Sequence, residues 1–450
     1  MFRRVLIANR GEIAARVSRT CRRLGITSHA VYSVADADAL HVREADGATH
    51  IGAAPVAESY INVDAVLDAA VKADCDAVHP GYGLLSENAH FAQACEARGI
   101  TFIGPAPEHM ELMGNKNQAR ATMRELGMPV IPGSAATVSD EDAEAVAAEV
   151  GYPLLIKASY GGGGIGMATV RREAQFARSL RRARSSAQRA FGSGEVYLER
   201  LLVEPHHIEL QVFGDGDGGV AILGDRECSV QRRHQKVIEE APAPAPQLTN
   251  ERRERLYAQV RTAISGLRYR NAGTVECLLD ASGEMFFLEM NTRLQVEHPV
   301  TEMVTGLDLV EWQLRIAAGE PLSQLPGYGD PPPLSGHAIE TRLYAEDPDT
   351  LLPSPGSIET LEVPEHDWLR LDAGVESGDD VSHFYDPLMA KLIVHGDDRA
   401  QALERLAEAL NRTRIDGLKH NVPFLRRVIQ TEPFQNGSYD VTLTDSLLKR

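Results

Sequence analysis

Two neighbouring segments restrict this chain more than any other feature: Gly273-Thr-Val-Glu-Cys-Leu-Leu-Asp280 and Phe286-Phe-Leu-Glu-Met-Asn-Thr-Arg-Leu-Gln-Val-Glu297. Side chains alternate faces along a strand. The second segment therefore reads as a strand with Glu289, Asn291, Arg293, Gln295 and Glu297 on one face and Leu288, Met290, Thr292, Leu294 and Val296 on the other. A solvated sheet edge gives the same alternation. The upstream segment changes that reading, because a two-residue turn at Ser282-Gly283 makes the two a hairpin. Its register sets Glu276 opposite Glu289 and Thr274 opposite Asn291. Facing carboxylates repel unless one is protonated or a cation lies between them. Oxygen ligands on strands suit Mg²⁺, which takes one or two carboxylates with phosphate oxygens. A one-residue slip would turn Glu276 to the other face.

The first third alternates short apolar runs (5–8, 29–33, 77–79, 101–104) with amphipathic helices at 11–24 and 62–72. Alternation of this kind predicts βαβ units and a parallel, Rossmann-like sheet. No G-x-G-x-x-G follows the first strand, which disfavours a dinucleotide. A second block, about 115–315, holds the glycine loop 161–166 and the hairpin. Pro331-Pro332-Pro333 then predicts a stiff, extended joint. Beyond it lie β-like segments at 338–344 and 391–394 and helices at 398–411 and 421–431, an α+β pattern. The expected division is 1–114, 115–330 (with a lid at about 131–203) and 331–450.

Two more segments carry chemistry. Tyr152 to Lys157 is an apolar run ending in lysine, followed by Gly161-Gly-Gly-Gly164-Ile-Gly166. Glycines let backbone N–H groups approach a phosphate, and a lysine at a strand end reaches the same oxygens. A P-loop is excluded because no Gly-Lys-Ser/Thr follows. A flexible hairpin tip remains the alternative. Asp225 to Lys236 concentrates Arg226, Gln231, Arg232, Arg233, His234 and Lys236 in a chain of net charge −18. It reads either as a solvated basic strand or as an anion site in which Gln231, His234 and Lys236 bind phosphate or carboxylate. The overall negative field disfavours nucleic acid and anionic membranes as partners. No apolar run is long enough to span a bilayer. Five scattered cysteines without CxxC spacing predict reduced thiols and a cytoplasmic setting, not zinc. Taken together, the residues predict ATP-dependent activation of an oxyanion.

From end to end the chain resembles biotin carboxylase, the ATP-grasp subunit of biotin-dependent carboxylases. The resemblance rests on Leu6 to Ala14, His79 to Asn88, Met113-Gly-Asn-Lys116, the glycine loop, Gln231 to Glu240, Glu289 to Glu302 and Asp386 to Lys391. It implies that Lys116, Lys157, Gly163, Gly164, Glu199, Arg200, Leu201, Leu202, His207, Gln231 and His234 hold ATP, with Glu276 and Glu289. Glu276, Glu289 and Asn291 would ligate Mg²⁺ (or Mn²⁺). Lys236, Arg293, Gln295 and Val296 would surround bicarbonate, Glu297 would deprotonate it, and Arg342 and Tyr82 would meet biotin. Bicarbonate would attack ATP to give carboxyphosphate, whose CO₂ passes to N1′ of biotin. Ile165 and Arg200 stand where many family members have Arg or Lys and Lys.

No Met-Lys-Met segment is present. The resemblance therefore implies biotin on a separate carrier protein, a separate carboxyltransferase and a homodimer; the final acceptor, set by the transferase, is acetyl-CoA, propionyl-CoA, another acyl-CoA or pyruvate, with an acyl-CoA favoured. Another ATP-grasp ligase acting on an amine and a silent nucleotide-binding scaffold are the alternatives.

Overall fold

The computed structural model describes residues 1–450 apart from 135, 161–164, 233–234, 330 and 449–450. Val5, Leu6 and Ile7 are buried on both faces, as the centre of a parallel sheet requires. Strand Arg4–Ile7 lies in a five-stranded parallel sheet between Thr27–Ser33 and Ala77–His79, with Gly47–Gly52 and Thr101–Phe102 at the edges. The edge strand Gly47–Gly52 escapes a reading by apolar runs, since only Ile51 of its side chains is buried. Helix Gly11–Arg23 covers the sheet through Ile13, Ala14, Val17 and Cys21.

The site is carried by an eight-stranded antiparallel sheet. Its order is Met285–Asn291, Arg270–Leu279, His206–Asp215, Val220–Arg232, Gln235–Ala241, His337–Tyr344, Leu388–Gly396 and Leu369–Ala373. Strand Gln235–Ala241 pairs with His337–Tyr344, so one sheet runs continuously across the proline triplet. Pro331 and Pro333 of the triplet are exposed and Pro332 is buried, outside any helix or strand. A separate three-stranded sheet, Ala168–Val170, Leu154–Ala158 and Val196–Arg200, is covered by helix Phe176–Phe191. Among the described residues no helix is long and apolar enough to cross a membrane, and all five cysteines are buried and free.

The expected hairpin pairing is present, but not through the expected turn. Asp280 and Glu284 close a three-residue loop in which Gly283 has φ +83°, the left-handed conformation such loops need. This displaces the register by one residue. A bulge at Leu288 shifts it back, so Glu276 faces Glu289 and Thr274 faces Asn291. The second strand ends at Asn291, whereas the alternation predicts extension to Glu297. Residues 292–297 turn into helix His298–Thr305, whose first turn holds Pro299.

Buried charges join the three regions. Arg16 of the first helix donates to Glu302 (2.8 Å) and Asp308 (2.9 Å), and Glu302 also accepts from Arg370 of the last edge strand (2.7 Å). Glu302→Ala removes a partner from the buried Arg16 and is expected to destabilise by about 3 kcal/mol. A urea unfolding midpoint equal to that of the unsubstituted chain would show that the regions do not depend on this carboxylate.

Candidate active site

The alternation seen in the hairpin recurs next to it. In strand His206–Asp215, His207, Glu209 and Gln211 share a face, and Glu209 stands opposite Glu276 as Gln211 stands opposite Thr274. Arg226 is opposite Glu209 on the other side. A row Arg226, Glu209, Glu276, Glu289 therefore crosses four strands on one face. Three adjacent carboxylates demand cations, and three arrive. Arg226, fully buried, donates to Glu209 and Gln211. Lys236 Nζ donates to Glu209 (2.5 Å), Glu276 (2.7 Å) and Glu297 (2.7 Å). Lys116 donates to Glu289 at 2.9 Å. Burial alone would lower the Lys236 pKa, but Glu209, Glu276 and Glu297 raise it well above the usual lysine value. Burial would likewise raise Glu276 and Glu297. Lys236 with His207 overcomes this for Glu276, and Lys236 with Arg342 and Arg226 for Glu297, so both fall below the ordinary carboxylate range.

These residues line a cavity of about 350 Å³ shared by Lys116, Lys157, His207, Gln231, Lys236, Glu276, Glu289, Asn291, Arg293, Gln295, Val296 and Arg342. Gln231 donates its amide to His207 Nδ1 (2.9 Å), leaving Nε2 3.1 Å from Glu276. The ring proton belongs on Nε2 in that arrangement. Asn291 Nδ2 and Gln295 Nε2 donate to the same Glu276 oxygen at 2.8 and 3.1 Å. Arg293 is held as a fork, with Nε on Glu87 (3.0 Å) and its terminal nitrogens on Gln295 and Asn291 (2.9 Å each). Arg342 donates to Glu239 (2.7 Å) and Glu297 (3.0 Å). Glu276, Glu289 and Asn291 offer only oxygen ligands, two anionic, and ammonium groups already stand against both carboxylates. Such a donor set fits a hard divalent cation.

Other expected residues sit elsewhere. Lys157 reaches the cavity but donates to buried Glu199 (2.9 Å), which also pairs with Arg120 at 3.0 Å. The Glu199 carboxylate is thus spent on cations. Arg200 is exposed and Leu201 and Leu202 half-buried, outside the cavity lining. Tyr82 donates to Glu12, whose carboxylate is 3.1 Å from Lys391. Gly163, Gly164 and His234 lie outside the described residues. Within the basic run, Arg226 and Arg232 are buried and spent on Glu209 and Glu346, so neither is solvated or free for an anion. Four acids around the site were not singled out: Glu209, Glu87, Glu239 and Glu12. For Glu209 the signal was present, in the His207/Glu209/Gln211 alternation.

Comparison with known proteins places these observations. Three family models match: "Biotin carboxylase, N-terminal domain" over residues 1–110, "Carbamoyl-phosphate synthase L chain, ATP binding domain" over 115–325 and "Biotin carboxylase C-terminal domain" over 340–446. A biotin carboxylase of Halalkalibacterium halodurans is 51% identical over 100% of this chain and 98% of its own length. The alpha subunit of mitochondrial methylcrotonoyl-CoA carboxylase from Oryza sativa subsp. japonica is 48% identical over 97% of this chain, which spans 59% of that protein. The biotin carboxylase domain dimer of Hydrogenobacter thermophilus 2-oxoglutarate carboxylase, solved with MgADP, ADP and bicarbonate, superposes with a TM-score of 0.94 at 43% identity, covering 99% of this chain and 98% of that one. With its parallel N-terminal sheet, ATP-grasp region and C-terminal α+β region, the chain belongs to the biotin carboxylase family, ATP-dependent ligases that carboxylate biotin.

Proposed function

We propose that this chain uses ATP and bicarbonate to carboxylate N1′ of biotin presented on a separate carrier protein, with a carboxyltransferase completing the reaction. The carrying observation is the row Glu209, Glu276, Glu289 neutralised by Lys236 and Lys116 beside Arg293, Gln295, Glu297 and Arg342. Lys116, Lys157, Gly163, Gly164, the segment Glu199, Arg200, Leu201 and Leu202, His207, Gln231 and His234 hold the nucleotide. Mg²⁺ (or Mn²⁺) on Glu276, Glu289 and Asn291 supplies charge neutralisation at the phosphates.

Lys236, Arg293, Gln295 and Val296 hold bicarbonate, and Glu297, ionised and 2.7 Å from Lys236, takes its proton. The deprotonated oxygen attacks the γ-phosphorus, giving ADP and carboxyphosphate. Carboxyphosphate yields CO₂ and phosphate, the phosphate takes the N1′ proton, and N1′ attacks CO₂. Arg342, which never deprotonates, stabilises the anion on the ureido oxygen, with Tyr82 nearby. Closing the lid excludes water, which would hydrolyse carboxyphosphate.

The final acceptor we favour is acetyl-CoA or another acyl-CoA. The relatives' names show that this half-reaction serves several acceptors. A homodimer is supported by the dimer of the Hydrogenobacter domain. A cytoplasmic setting is supported by the free buried thiols. The functional divisions follow as 1–114, 115–330 with the lid at about 131–203, and 331–450.

Glu297→Gln is expected to lower bicarbonate-dependent turnover by about 10²–10⁴-fold with unchanged ADP affinity by calorimetry. Turnover within a few-fold of normal removes its role as base. Arg342→Ala is expected to cut biotin-dependent kcat/KM by about 10²-fold or more, while ATP cleavage without biotin stays within a few-fold. Parallel losses in both assays make Arg342 a general binding residue instead.

A further inference from the structure

Beside Arg342, two carboxylates share a site without enough cations. Glu239 of strand Gln235–Ala241 stands directly opposite Glu340 of strand His337–Tyr344, and both are fully buried. Three of their four oxygens, Glu239 Oε2 and both of Glu340, have no hydrogen-bond partner among the described residues, while Glu239 Oε1 accepts from Arg342. Buried acceptors without donors are costly, and an uncompensated buried charge more so.

The surrounding groups offer no relief. Lys391, on the next strand opposite Arg342, donates to the Val296 carbonyl at 2.8 Å and lies 3.1 Å from Glu12. Arg342 is committed to Glu239 and Glu297. Lys236 is committed to Glu209, Glu276 and Glu297. Helix His298–Thr305 packs on this face through Val300 and Val304, against Ala338 and Ala241. It adds Glu297, a repulsive charge, and His298, which burial and then Lys391, Arg16 and Arg370 keep neutral. Its Glu302 is tied to Arg16 and Arg370. The counter-charge left for Glu340 is a proton.

We propose that Glu239 and Glu340 share one proton, and that this half-neutralised pair is the device that positions Arg342 and leaves its charge available to substrate. Neither acid is catalytic, since they act through the guanidinium. A proton on one of the three orphaned oxygens makes it a donor to a second. It also limits Arg342 to two anionic neighbours instead of three, so the guanidinium is oriented without being immobilised in a cage of acids. Burial above all raises both acids above the ordinary carboxylate range, against the pull of Arg342 and Lys236 on Glu239 and of Lys391 and Arg342 on Glu340; the Glu297 charge adds to the rise of each, and the Glu239 charge to that of Glu340. The inference rests on the reading of Arg342 as the biotin-facing cation. The test separates the two.

A carboxyl pair holding a proton in the folded state contributes stability that is full below its unfolded pKa of about 4.3 and is lost as pH rises through the folded value. Glu340→Gln keeps the neutral form at every pH. The thermal midpoint of the full chain, followed from pH 6 to about 9.5, is therefore expected to fall with pH more in the unsubstituted protein than in E340Q. A difference between the two that does not vary with pH overturns the shared proton. Should E340Q fail to fold, Glu239→Gln makes the same comparison. With free biotin as probe, the alkaline fall of biotin-dependent kcat/KM is expected to move up by about one pH unit or more in E340Q, while ATP cleavage without biotin keeps its profile. An equal shift in both assays, or in neither, overturns the positioning role. If Arg342→Ala shows no biotin-selective loss, the Arg342 reading fails, and the midpoint comparison still decides the proton.

Discussion

Three carboxylates side by side on neighbouring strands set the terms for the rest of this structure. Cross-strand partners stand about 5 Å apart, and two carboxylates at that distance repel by about 3 kcal/mol at an effective dielectric of about 20. Glu209, Glu276 and Glu289 form two such contacts in succession. No packing of apolar side chains nearby offsets that locally, so the sheet must import positive charge. Arg226 comes from the strand beside Glu209, Lys236 from the strand beyond that, and Lys116 from the start of a helix more than 150 residues away in sequence. Removing Lys116 would leave the half-buried Glu289 without its cation, and removing Lys236 would strip Glu276 of its ammonium and leave Glu209 to Arg226 alone. The same two lysines that make the acidic row tolerable face the cavity where a triphosphate is proposed to bind, so stability and ligand recognition draw on one set of charges.

Glu297 links the two halves of the proposed chemistry. One carboxylate oxygen takes Lys236, at the acidic row, and the other takes Arg342, on the far side of the cavity. Both contacts keep it ionised against the effect of complete burial. In the proposed chemistry a base in that position is charged when bicarbonate arrives. Taking up a proton weakens its hold on both cations together. On the proposed reading, Arg342 is then freer when biotin meets it. The coupling requires no movement of the backbone, only the neutralisation of one carboxylate shared by two cations.

What the sequence made legible is what depends on near neighbours. The βαβ alternation of the first third, the helix at 11–24, and the polar face of Glu289 and Asn291 all follow from spacing within a dozen residues. The facing of Glu276 and Glu289 was also readable, though the turn is not the one assumed. A three-residue loop with Gly283 and a bulge at Leu288 displace the register in opposite senses. The pattern of buried faces fixes pairing more firmly than turn length does. Period-two spacing misled beyond Asn291, because Arg293, Gln295 and Glu297 converge through a turn and not along a strand. Glu239 facing Glu340 was not legible at all. Their pairing joins strands about a hundred residues apart, and nothing local in either strand records it.

The irregular stretch from Thr292 to Glu297 shows why the site needs the whole chain. Outside strand geometry, a segment carrying an arginine, a glutamine and a base would sample many conformations, at a cost of about 1–2 kcal/mol for each residue fixed. Here it is fixed from both sides. Glu87, on the connection after strand Ala77–His79 of the parallel sheet, accepts from the Thr292 backbone (2.9 Å), its hydroxyl (3.2 Å) and Arg293 Nε (3.0 Å). Lys391, from the far end of the long sheet, holds the Val296 carbonyl and is itself seated against Glu12 of the first helix. The middle of the chain thus supplies Arg293, Gln295 and Glu297, while the first and last thirds supply the contacts that aim them. Neither third could be loosened without blurring the positions of Arg293, Gln295 and Glu297, however well the acidic sheet itself remained folded.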